Sequence, residues 1–432
     1  MTPLLALRKP ARAAVTLALA GLLPALAIAG PTPADQAVAA AERRVSQAHD
    51  RPEAYVELAT AFMKKSRESG DPGYYARASA GLDRALALDP NDYPALRVRA
   101  WVLLGQHDFR GALAAADRAR ALEPGDWWNY GTLADAEIEL GDYDRAADAA
   151  QHMVDLRPGL PAYTRAAFLR ALFGDRAGAI DILGLAVAAG SRQDPETLAW
   201  TLVHLGHEHF ALGNLEAAAA AYTRALAVFP SYYLALGALG RVRAAEGRLG
   251  EAVDLYRRAV DQIPAPDLVA ALGDVYAATG RADEAERRYA LVDYMGDVAE
   301  ATATPYGRQL ALFYCDHDRR LAAALRLAEQ EAATRGGIYT DDALAWALHK
   351  NGRTMEAVRA AHRALRLGTE DALLEYHAGV IAAGAGHPRR AARHLRRALA
   401  LNPYFDLRQA PLARATLAAL DDPARMALGE AR

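Results

Sequence analysis

The chain has 432 residues, 52% hydrophobic but only 7% aromatic, a length at which one core gives way to several domains or to a repeat array. Its formal net charge is −3 and its single cysteine is Cys315, which disfavours bulk nucleic-acid binding and excludes an intramolecular disulfide framework. Alternating β-branched runs are nearly absent, so the chain reads as all-α.

Residues 1–29 read as a secretory signal peptide. Arg8, Lys9 and Arg12 form a basic start, Ala13 to Ala29 an apolar stretch interrupted at Pro24, and Ala27-Ile28-Ala29 an A-x-A cleavage site before Gly30. An uncleaved membrane anchor is the competing reading, because the apolar stretch approaches the shortest bilayer span. Gly21, Pro24 and the small-residue end favour cleavage. No cysteine follows for a lipid anchor, and the paired arginines of a twin-arginine signal are missing. Cleavage moves the formal charge from −3 to −6. The expected mature protein is exported, periplasmic or secreted, with no transmembrane segment.

After a lead-in and cap at 30–52, the same marks recur along the chain. Pro90, Pro124 and Pro158 close successive units, since proline lacks the N–H that a continuing helix needs. Gly105, Gly141, Gly213, Gly247, Gly280, Gly352 and Gly386 fall where one helix ends and the chain reverses, with Asp142 and Asn214 placed to cap the next helix. Ala112/Ala119, Ala146, Ala285, Ala357/Ala364 and Ala391/Ala398 hold positions where two helices approach closely. The fullest unit reads Leu202-x-x-Leu205-Gly206-x-x-His209, then Ala218-x-x-x-Tyr222-x-x-Ala225 and Pro230. The next repeats it 34 residues on, with Leu236, Leu239, Gly240, Ala252, Tyr256, Ala259 and Pro264. This pattern resembles the tetratricopeptide-repeat (TPR) family. The resemblance implies a right-handed superhelical solenoid of about nine or ten helix-turn-helix repeats between Pro52 and Pro403, ending in a capping helix.

The pattern has departures. Ser66 to Gly73 reads as an insertion between two helices, the unit from Gly159 runs without its proline into Ala189-Gly190-Ser191-Arg192-Gln193, and Tyr294 to Thr304 breaks the phase. The expected organisation is therefore an N-terminal arm at 53–292, a joint at 293–304, a C-terminal arm at 305–403, and a capping helix and tail at 404–432. The capping helix is expected from Pro411 to Leu420, and the tail should fray from Asp421.

No catalytic motif stands out: the chain lacks a P-loop, a dinucleotide-binding glycine fingerprint and a nucleophile elbow. His207-Glu208-His209 misses the H-E-x-x-H zinc pattern because Ala211 holds the second histidine's place. The expectation is a non-enzyme without a cofactor. His204, His207 and Glu208 share one helical face and are candidate metal ligands, with an ordinary polar surface as the plainer reading. Cys315 reads as a small packing residue, and Arg389, Arg390, Arg393, Arg396 and Arg397 as a solvated basic face.

The aromatics point to binding. In the TPR pattern the internal packing position near the start of the first helix is held by Leu96, Tyr130, Leu202 and Leu236, whereas Trp101, Trp128, Trp200 and Trp346 lie on the face that lines the concave surface in TPR proteins. Phe210, Tyr339, Tyr376, His377, His204 and His207 share that phase, interspersed with Asp135, Arg165, Arg241, Asp274 and Arg308. The leading expectation is a scaffold that holds a protein or peptide partner in this groove. The alternatives are a scaffold for envelope polysaccharide machinery, where rings would stack on sugars, and a metal-binding protein using the histidine face. No nucleic-acid partner is expected.

Overall fold

The computed structural model describes residues 32–302 and 306–421; the leader at 1–29 and the tail beyond Asp421 lie outside the described residues. After α1 (Pro33–Gln47) come ten antiparallel helix pairs. The first five are α2 (Pro52–Ser69) with α3 (Gly73–Leu88), α4 (Tyr93–Gly105) with α5 (Phe109–Leu122), α6 (Trp127–Leu140) with α7 (Tyr143–Leu156), α8 (Leu160–Leu172) with α9 (Arg176–Ala188), and α10 (Pro195–Ala211) with α11 (Leu215–Val228). The second five are α12 (Tyr233–Ala245) with α13 (Leu249–Gln262), α14 (Pro266–Ala278) with α15 (Ala282–Thr302), α16 (Gly307–Asp316) with α17 (Leu321–Thr334), α18 (Ile338–Lys350) with α19 (Thr354–Ala364), and α20 (Ala372–Gly384) with α21 (Pro388–Leu401). α22 (Gln409–Leu420) ends the array. No described residue is in a strand.

Local chemistry sets these boundaries. Asp108, Asp142, Asp175, Asp194 and Asn214 each accept the backbone N–H three residues on, capping α5, α7, α9, α10 and α11. The expected reversal glycines take left-handed backbone, Gly141 with φ 80° among them, with one exception. Gly105 stays inside α4, and His107 takes the left-handed position with φ 62°. A side chain at Gly105 would run into the Tyr75 ring, so close helix approach rather than backbone freedom explains that glycine.

Within each pair the apolar positions face each other. Leu96, Leu202, Leu236 and Tyr222 are among the largest fully buried side chains, as the repeat pattern requires. Cys315 is also fully buried. Two expectations about interruptions are corrected. Ser66 to Ser69 extend α2, leaving only a short turn before α3. Residues 293–302 continue α15 without a break, so the joint is largely helix. The discontinuity appears one step later, because α15 and α16 lack the close backbone packing of other neighbouring pairs. Arginine–carboxylate pairs tie α15 to the turn between α16 and α17 instead, Arg319 to Asp293 and Arg320 to Asp297, beside a cavity of about 520 Å³.

The superhelix is tight enough to close on itself. Arg176 Nε donates to the Glu370 carbonyl at 2.5 Å, the Ile338 N–H to the Tyr143 hydroxyl at 2.8 Å, and Asn402 Nδ2 to the Phe210 carbonyl at 2.7 Å. Thr369 also bonds the Leu172 carbonyl. These partners are 192 to 197 residues apart, between five and six 34-residue repeats. The turns inside early pairs therefore rest on the turns between later ones, and the concave faces look into a narrow interior.

Candidate functional site

The first helices of the pairs, α4 through α20, carry the side chains that face this interior. On α4 and α6, the Trp101 and Trp128 rings meet edge to face at 5.7 Å, and the Arg97 guanidinium lies 4.9 Å over Trp128. Both tryptophans keep partial solvent contact. One repeat on, Arg165 grips Asp135 with two bonds, at 2.9 and 2.5 Å, and also donates to the carbonyls of Gly131 and Pro161. This pair is half-buried, so it fixes the local shape of the face.

Trp200 and His204 lie 3.9 Å apart, and His204 meets His207 at 5.7 Å. His207 Nδ1 accepts from the Tyr222 hydroxyl at 2.8 Å and lies 3.4 Å from the Arg241 guanidinium. Burial lowers the His204 pKa to about 4, and burial plus the Arg241 charge holds His207 well below its usual range, so both rings are neutral at pH 7. Glu208 turns away from them to Arg176 NH1 at 2.5 Å, in the seam between superhelical turns. The three candidate ligands are thus not brought together, and no group of three or more His, Cys, Asp or Glu among the described residues is placed to hold a metal ion.

Four residues expected on the groove face are corrected to core. Trp346 is 3% exposed, Phe210 3%, Tyr376 4% and His377 0%. Trp346 stacks on His377 at 4.4 Å and donates Nε1–H to Asp316 Oδ1 at 2.8 Å. Arg241 covers the Phe210 ring at 4.0 Å. The tight curvature brings successive first helices together, and rings that a wider groove would expose fill the space between them. Tyr339 is half-buried near Arg176 and Asp371, and Arg308 half-buried near His107. His377 is fully buried; burial opposes its charged form, but the Asp342 carboxylate 2.9 Å away raises its pKa.

Asp274 has three partners. It accepts from the Tyr289 hydroxyl at 2.8 Å, contacts His317 Nε2 at 2.8 Å, and pairs with Arg408 at 3.3 Å. Arg408 belongs to the stretch before α22, and its neighbours also enter the interior: Phe405 packs on Tyr376 at 5.4 Å, and Gln409 Nε2 donates to Asp316 Oδ1 at 2.6 Å. The sequence reading assigns residues 402–403 to the end of the C-terminal arm and 404–409 only to the capping helix and tail. Their signal was the unit Tyr404-Phe405-Asp406-Leu407-Arg408, aromatic and charged in an alanine-rich chain.

Family profiles described as tetratricopeptide repeat match residues 103–167 and residues 204–267. No curated protein matches the chain. Among solved structures, human IFIT1 as a dimer with PPP-AAAA is 15% identical with a TM-score of 0.47, covering 84% of this chain and 85% of that one. The APC/C hetero-tetramer Cut9–Hcn1 is 14% identical with a TM-score of 0.33, covering 90% and 93%. MamA is 21% identical with a TM-score of 0.31, covering 38% of this chain and 93% of its own.

Proposed function

The chain is a tetratricopeptide-repeat protein, and from that premise we propose that it is an exported, non-catalytic scaffold that holds an extended segment of a partner protein on its concave face. One observation supports this reading: the face already holds a segment of its own chain, because residues 405–409 lie against α14, α16 and α20 through two carboxylates, a backbone carbonyl and a ring. The Trp101–Trp128 pair, with Arg97 beside it, offers the same kinds of contact where no segment among the described residues takes them up.

The test is cross-linking of the full chain to envelope extract, with mapping of the cross-linked peptides. Partner peptides joined to α4, α6 and α8 support the reading; cross-links confined to the convex helices sink it. Tryptophan fluorescence that responds to envelope oligosaccharides but not to captured peptides would favour the polysaccharide alternative. Export is tested by N-terminal sequencing of native protein, which should begin at Gly30; a chain beginning at Met1 counts against it.

A further inference from the structure

The seam between superhelical turns joins two kinds of edge, the reversals within early pairs and the turns between later ones. A side chain added at Gly70 would meet Ile263, at Gly141 the Gly336 carbonyl, at Gly174 the Gly368 carbonyl and at Gly213 Pro403, so these early reversals are covered. The matching glycines of later pairs, Gly247, Gly280, Gly352 and Gly386, share the left-handed backbone but have no described atom close enough to touch such a side chain. The opposite edge is open too. Leu88, Leu122 and Leu156, one repeat apart just before the first three between-pair prolines, are 43%, 44% and 46% exposed. Each kind of edge that builds the seam is thus left over once, at opposite ends of the superhelix.

The sequence changes character where the covering stops. At the covered reversals Asp108, Asp142, Asp175 and Asn214 cap α5, α7, α9 and α11. At the open ones Arg248, Arg320, Arg353 and His387 hold the cap positions of α13, α17, α19 and α21 without a capping bond, and Arg281 directly precedes α15. A cap position favours an acceptor, and a cation beside a helix N-terminus opposes the helix dipole. Local helix stability therefore does not account for the change. Arg248, Arg281 and Arg353 turn to Glu251, Glu284 and Glu356 three residues on, exposed pairs of small worth that exchange partners readily. The open reversals are net basic, with Arg248, Arg281, Arg319, Arg320 and Arg353 against Glu246 and Asp318. The open between-pair turns are net acidic, with Asp89, Asp92, Glu123, Asp126 and Asp194 against Arg157 and Arg192.

We propose that copies of this chain associate end to end, the arginine-bearing reversals of α12 to α21 in one copy resting on the acidic, leucine-bearing turns between α3 and α10 in the next. The seam then continues from molecule to molecule, with opposite charges aligning the two edges. A contact between two different surfaces of the same protein is heterologous and leaves one edge of each kind free, so the assembly grows beyond a dimer. It uses the edges of the superhelix and not the concave face, and its failure leaves the scaffold reading standing.

Sedimentation velocity of the full chain across a concentration series is the test. Wild-type protein should form species larger than a dimer as concentration rises, and these should retreat as salt is added. Arg281→Asp/Arg353→Asp gives two late reversals the capping residue of the early ones; it should keep or raise the melting temperature while weakening association at least about tenfold. Leu122→Ser/Glu123→Arg removes the other edge and should weaken association equally with an unchanged melt. Each variant keeps one working edge, so mixing the two should give one-to-one dimers and nothing larger, which neither gives alone. Wild-type protein that stays monomeric or stops at a dimer overturns the proposal, as do variants that associate like wild type or a mixture that remains monomeric.

Discussion

At the scale of single residues, two tryptophans in the same helical phase have different roles. Trp346 is enclosed by His377, Tyr376 and Asp316, whereas Trp101 has one side on the core and the other toward the interior. Trp346→Ala should cost about 3 to 5 kcal/mol of stability, and Trp101→Ala clearly less, while costing partner affinity about 2 kcal/mol or more. Thermal melts beside partner titrations compare the two, and equal melting losses would place Trp101 in the core as well. Asp316 supplies a pH test. Burial, acting before all other causes, raises its pKa from 3.8 to about 6, so the folded chain holds a proton more firmly than the unfolded one. Stability from this group is full below about pH 4 and is lost as pH rises through about 6. Asp316→Asn keeps an oxygen for Trp346 and Gln409 but removes the ionisation. It should therefore gain stability relative to wild type at pH 7, on the order of 2 kcal/mol, with the gain shrinking toward pH 4. Paired denaturant melts at the two pH values measure this, and a pH-independent difference would refute the assignment.

At the scale of elements, two turns show what neighbouring turns demand of a sequence. Gly247 has left-handed backbone, with φ 76°, and open space around it, so Gly247→Ala carries only the backbone cost, about 1 kcal/mol. A Cβ at Gly336 would instead strike the backbone carbonyl of Leu140 on the preceding superhelical turn. Gly336→Ala should therefore destabilise by clearly more than Gly247→Ala, which chemical denaturation of the two variants measures directly. The difference also explains what was legible. Gly247 repeats a mark found in other units because each helical hairpin needs the same reversal. Gly336 belongs to no repeated mark, because its constraint comes from Leu140, 196 residues away. The helix pairs, their caps and the buried Leu202, Leu205, Tyr222 and Leu236 follow from local periodicity. The burial of Phe210, Trp346 and Tyr376 depends on superhelical curvature and on residues 402–409, and neither is encoded in the 34-residue period.

At the scale of the whole molecule, contact between successive turns changes how a repeat array behaves. A solenoid held only by nearest neighbours gains and loses stability repeat by repeat, whereas here two buried arginines tie early repeats to late ones. Arg176 joins Glu208 to the Glu370 carbonyl and Asp371, and Arg335 joins Glu139 at 3.0 Å to its own neighbour Glu331. Both are under 10% exposed, at 6% and 8%, so their partners cannot recover full hydration while the turns stay together. Removing the arginines leaves the largely buried Glu208 and Glu331 carboxylates without their ion-pair partners, a strong penalty that opening the seam relieves by admitting water. The separation of the turns should therefore precede loss of the helices. Arg176→Ala/Arg335→Ala protein is expected to keep its helical circular dichroism while its radius of gyration by solution scattering rises, since a spring with separated coils is longer. Its denaturation should broaden or split into two transitions, because the link that makes distant repeats unfold together is cut. A double variant with unchanged dimensions and one sharp transition would show that backbone contacts such as Gly336 N–H to the Glu139 carbonyl hold the seam without the arginines.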